Sequence, residues 1–144
     1  MWLSSLFMLV ISSVCYGAIA ITSLIFGLIY LTRSQFMPYH SLALAKSGSE
    51  VEVKTQILIL ALMRVAGGGF ISTGIAILYL LCIPFQAEAT WAKYSIFLVC
   101  LGTSTGSCYA TLLVKLKTPG NPPAWLSVAT ILLSIVGLIC SLLG

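Results

Sequence analysis

The chain has 144 residues, 60% of them hydrophobic and only 7% charged, with a mean hydropathy of +1.12, a composition far from that of water-soluble globular domains. Its net charge of +4 sets seven Lys/Arg against Glu50, Glu52 and Glu88, and these charges are scattered at the margins of apolar runs. That excludes the basic stripe by which a nucleic-acid-binding protein neutralises several phosphates, and it reads as an orientation signal with an attraction to anionic lipid headgroups.

Apolar runs occupy about residues 3–31, 57–83, 94–114 and 124–143, each long enough to cross a hydrocarbon core of about 30 Å. A segment in lipid must satisfy its own backbone polar groups, so each run is expected to be a helix, and the alternation a barrel would need is missing. The expected fold is all-α: a single integral membrane domain over residues 1–144, built as a four-helix bundle. No Lys or Arg stands near Met1 and the first run continues to Thr32, so it is expected to be a span and not a removable leader.

The first connection, from Arg33 to about Thr55, is the longest polar stretch. Pro38, within Phe36-Met37-Pro38-Tyr39-His40, should end the first helix, because it lacks an N–H and its ring opposes continuation. Ser49-Glu50-Val51-Glu52 matches a capping box, which would start the second helix there and place Glu50 and Lys54 four residues apart in the favourable order. The third connection, Thr118-Pro119-Gly120-Asn121-Pro122-Pro123, is a dense turn signal and should be short and rigid. Arg33, Lys46, Lys54, Lys115 and Lys117 fall on one side of the predicted bundle and Lys93 on the other. The excess of basic residues places the first and third connections in the cytoplasm and both termini outside. Trp2, Trp91 and Tyr94 would then mark the outer boundary, and Tyr30 and Trp125 the inner one.

Arg64 is the one charge well inside an apolar run. It lies roughly 10 Å in by helical rise, so it can act either as an anchor that snorkels toward the cytoplasm or as a contact for a substrate, headgroup or partner. Gly67-Gly68-Gly69 follows it and costs helix propensity, about 1 kcal/mol per Gly in a water reference. Close helix approach would compensate: Gly68 with Ser72, Gly69 with Thr73, and the GxxxG pair Gly102 and Gly106 are all candidate packing surfaces. A polar path lined by the same hydroxyls is the sharper alternative. Tyr39 and His40 at the inner boundary could serve acid or base chemistry, or simply be interfacial polar groups.

No metal site is assigned, because His40 has no second His and no Asp beside it. No cofactor or catalytic residue is assigned either. Cys15, Cys82, Cys100, Cys108 and Cys140 form no C-x-x-C and read as packing residues, with a disulfide between Cys82 and Cys140 left open.

The stretch from Phe36-Met37-Pro38-Tyr39-His40 through Met63-Arg64-Val65-Ala66-Gly67-Gly68-Gly69 resembles a group of small bacterial four-span membrane proteins. The likeness covers about the central third of the chain. It implies a bacterial inner-membrane location and a shared site at the cytoplasmic edge, and brings no activity with it. The acidic residue that small multidrug transporters carry inside the membrane is missing, and the helix motif of the membrane-associated eicosanoid and glutathione enzymes is not matched around Arg64.

The function expected from these features is that of a non-enzymatic accessory subunit or scaffold. It would bind partner helices through its small-residue faces, as a homo-oligomer or within a larger membrane complex surrounded by lipid. The alternatives are a small oligomeric transporter or channel built on the polar faces of spans two and three, and a lipid-modifying enzyme using Tyr39, His40 and Arg64.

Overall fold

A computed structural model describes residues 2–46 and 50–144. The described chain is helical: α1 is Trp2–Thr32, α2 Pro38–Leu44, α3 Val53–Cys82, α4 Thr90–Lys117 and α5 Ala124–Leu143. Four of these, all but α2, are long and apolar enough to cross a membrane, which makes this a multi-pass membrane protein. The polarity of its layers agrees. Leu3, Val65, Leu116 and Trp125 are each at least 70% exposed on the outside, while Ser12, Ser23, Ser104, Ser134 and Ser141 are buried inside, the reverse of a protein dissolved in water.

The four long helices follow one another around the bundle in the order α1, α3, α4, α5, with α1 touching α3 most and α3 touching α4 least of the neighbouring pairs. Glycine sets the first contact. A Cβ at Gly67 would lie 2.9 Å from the Gly27 carbonyl oxygen, and one at Gly74 would lie 2.7 Å from Leu24 Cγ. Such backbone-to-backbone approach is what small residues supply between helices in lipid. The other half of the bundle is sealed by Tyr16, Ile77, Leu81, Phe85, Ala92, Ile96 and Cys100, all packed into one cluster. Two polar ties close α5 onto its neighbours: Ser12 donates to the Gly137 carbonyl at 2.8 Å, and Lys93 donates to the Ser141 carbonyl, a cation placed at the negative end of a helix.

Pro38 plays a different part from the one its chemistry suggests at first. It does follow the end of α1, but it opens a new helix as its first residue, where a missing N–H costs nothing. The start of the second span also differs from expectation. Glu52 is the N-cap and Val53 the first helical residue, with the Gln56 side chain donating to the Val51 carbonyl at 2.7 Å. Glu50 therefore precedes the helix, and the helical spacing expected between it and Lys54 does not arise. Ser49, the expected cap, lies outside the described residues, as does the Trp2 side chain. The third connection is as tight as its prolines imply. Thr118 Oγ1 donates to the Val114 carbonyl at 2.7 Å and accepts from the Gly120 N–H at 3.1 Å.

Candidate functional site

Helical periodicity gathers the hydroxyls on the inner faces. On α4, Cys100, Thr103, Ser104, Ser107 and Thr111 recur at the spacing of one helix stripe, and all five line a cavity of about 280 Å3 between the four long helices. Helix α1 adds Ile19, Thr22, Ser23, Phe26 and Tyr30, α3 adds Phe70 and Thr73, and α5 adds Leu126, Ser127 and Thr130. Among the described residues no charged side chain lines it. The cavity runs from mid-bundle toward the basic end, where Met37 and Tyr39 of the α2 segment and Pro123 bound it.

Most of these hydroxyls have partners. Thr22 bonds the Ala18 carbonyl at 2.8 Å, Thr111 the Ser107 carbonyl at 2.9 Å, Thr130 the Ser127 carbonyl at 2.9 Å, and Thr73 meets Thr103 across α3 and α4 at 3.2 Å. The buried serines divide more sharply. Ser12, Ser134 and Ser141 each donate to a carbonyl at 2.8 Å. Ser23 and Ser104, 8% and 5% exposed, make no hydrogen bond among the described residues, and both line the cavity. Among the described residues the only enclosed side-chain polar atom without a partner is the Tyr16 hydroxyl, so the Ser23 and Ser104 hydroxyls open onto the cavity and present unspent hydrogen-bonding capacity there.

Helix α2 covers the basic end. A Cβ at Gly120 would lie 2.9 Å from the Tyr39 carbonyl oxygen and 3.0 Å from Ala43 Cβ, so α2 rests on the α4–α5 connection. Beneath it the Tyr39 and Tyr30 hydroxyls are hydrogen-bonded, and Tyr30 packs edge-on against Phe70 at 6.0 Å. Burial, followed by the Tyr30 bond, pushes the Tyr39 phenol well above its ordinary range. His40 points elsewhere, into a second cavity of about 360 Å3 between α2 and α3 lined by Leu62, Met63 and Ala66 among others. Its Nδ1 accepts the Met37 N–H at 3.3 Å, and burial holds its imidazole below the usual range.

No protein-family model, curated protein or solved structure matches this chain.

The residues singled out from sequence are thus dispersed. Tyr39 and His40 are neighbours serving different cavities, and Arg64 lines neither. Arg64 is exposed and sits about 150° around α3 from the stripe that faces His40, counting about 100° per residue. Gly67 packs against α1, whereas a Cβ at Gly68, Gly69, Gly102 or Gly106 would meet nothing within 4 Å; Ser72 is exposed as well. The close approach expected at Gly68, Gly69, Gly102 and Gly106 is therefore not made within the chain, and at the α1–α3 contact it is made by Gly27 and Gly74 alongside Gly67. The five cysteines are free thiols, with Cys82 exposed and Cys140 buried. The polar face expected on the third span is thus present on α4, and its extension to Ser107 and Thr111 was signalled by hydroxyls recurring every three or four residues across an apolar run.

Proposed function

We propose that this protein is a membrane-embedded binding protein for a small uncharged molecule, which it holds in the hydroxyl-lined cavity between its long helices as a small transporter would. The observation that carries this reading is the pair Ser23 and Ser104, buried, unpartnered and set in one cavity wall. The absence of any charged lining residue favours an uncharged occupant, since an ion in so apolar a setting needs a compensating charge. The volume suits a compact molecule, just below the range of ligand sites of about 300 to 1,000 Å3.

In this reading the basic end faces the cytoplasm, both termini are outside, and the membrane is the bacterial inner membrane implied by the resemblance in the central third. Arg64 is an outward anchor. Native mass spectrometry of protein released directly from membranes tests the reading. Wild type should retain an uncharged small molecule that Ser104→Leu loses; an empty wild type, or equal retention in both, refutes it.

A second reading, the accessory subunit, is favoured by one observation: the outward glycines Gly68, Gly102 and Gly106 are left without neighbours. There another helix, from a second copy or a larger complex, would find the close approach that the chain itself does not use. Recovery of one additional polypeptide in fixed ratio, lost in Gly102→Leu, is the expected result for this reading.

A further inference from the structure

The α3–α4 seam is closely packed along one half and loosely packed along the other. On α4, Ala92 and Ile96 share one stripe and are fully buried against the cluster that holds Ile77 and Leu81 of α3. Continuing the stripe past Thr103 gives Gly106 and Ala110, both exposed. The facing stripe of α3 behaves alike just below Thr73, where Gly69 is exposed; one and two turns farther on, Ala66 and Leu62 line the second cavity against α2. The Thr73–Thr103 hydrogen bond marks the upper rim, and both threonines also line the cavity. Below this rim the seam is flanked by Gly69 on α3 and Gly106 on α4, and no Cβ at either would touch protein.

We propose that the cavity takes its ligand sideways from the bilayer through the loosely packed half of this seam, and that the ligand is an uncharged amphiphile with an oxygen-bearing head and an apolar tail. The proposal rests on the binding reading above and adds to it the entry path and the tail. The head reaches Ser23 and Ser104, which lack partners inside the protein. The tail lies between the small residues of the seam, where apolar surface is already level with lipid. No charged side chain lines the cavity the head enters, so a charged phospholipid head is disfavoured, whereas a hydroxyl or carbonyl loses little on leaving the interface if it finds hydrogen bonds.

The experiment uses two photoreactive alcohols, a diazirine-bearing hexadecanol and a diazirine-bearing butanol, applied to the full chain in liposomes, with labelled positions mapped by mass spectrometry. Both should mark α4 at the cavity in wild type. Gly69→Leu with Gly106→Leu fills the opening without a clash inside the chain, and its melting temperature should stay near that of wild type. In that variant hexadecanol labelling should fall severalfold while butanol labelling persists; Gly68→Leu, about 100° around α3 from Gly69, should leave both unchanged. If butanol marks the cavity and hexadecanol does not, lateral entry is wrong and the binding reading stands. If neither marks it, both fall. Undiminished hexadecanol labelling in the filled variant, or a second polypeptide cross-linked across the seam, overturns the proposal.

Discussion

Gly67→Ala is the substitution that most directly tests how α1 and α3 are held together. The new Cβ would stand 2.9 Å from the Gly27 carbonyl oxygen, 3.0 Å from Tyr30 Cβ and 3.1 Å from Leu31 Cγ. The first of these is backbone, which cannot swing aside as a side-chain end can, so the two helices must part by a few tenths of an ångström along their most extensive contact. Overpacking of this kind costs typically about 1 to 3 kcal/mol. Gly68→Ala, one residue on, meets nothing within 4 Å and should be neutral or slightly stabilising, because Ala exceeds Gly in helix propensity by up to about 1 kcal/mol in water. Unfolding of the purified protein by titration with a denaturing detergent, with helicity as the readout, gives both values. Equal stability of the two variants would show that α1 and α3 do not approach through this glycine.

Tyr16 is fully buried with a hydroxyl that finds no hydrogen-bond partner, so Tyr16→Phe should stabilise the protein by about 1 kcal/mol in the same titration. A double-mutant cycle of Thr73→Val and Thr103→Val, whose hydroxyls lie 3.2 Å apart, should return a coupling of about 0.6 kcal/mol, the typical value for bonds between helices in lipid. His40 has its imidazole pKa depressed below 6.5 by burial, and the groups lining its cavity include Tyr30 but no charged side chain. The neutral form therefore stabilises the α2 docking above that pH, and the contribution is lost as pH falls through the folded-state pKa. Protease susceptibility of α2 should rise on acidification, and His40→Asn should flatten the profile.

The spans were legible because a long apolar run has almost no alternative to a helix in lipid. The expected limits 57–83 and 94–114 became Val53–Cys82 and Thr90–Lys117, since helices continue past the hydrocarbon into polar residues such as Lys54 and Lys115. Helix α2 was not legible. Its seven residues include the proline that reads as a breaker, and its position depends on Tyr30, Phe36 and Gly120, which are distant from it or outside its own turn. Tyr30, read from the sequence only as a boundary residue, lines both cavities. The glycines show the same limit. Gly67, Gly68 and Gly69 are identical in composition and differ only in azimuth, which a run of three cannot reveal until the partner helix is in place.

The azimuth also separates two uses of polar residues in lipid. A helical Ser or Thr can quiet its hydroxyl on a carbonyl of the preceding turn, as Thr22, Thr111, Thr130, Ser134 and Ser141 do. That bond is within reach of every such residue and explains why hydroxyls are tolerated in an apolar bundle. It does not explain Ser23 and Ser104, which forgo it while being almost wholly buried. Packing cannot explain them either, since Ala would fill nearly the same volume without an unpaired group. Both occupy the wall of the same cavity, and a polar occupant there would repay the capacity they hold in reserve. Ser23→Ala with Ser104→Ala should therefore leave the empty protein as stable or more so, and weaken whatever the cavity binds. A loss of stability with unchanged binding would return both serines to a purely structural role.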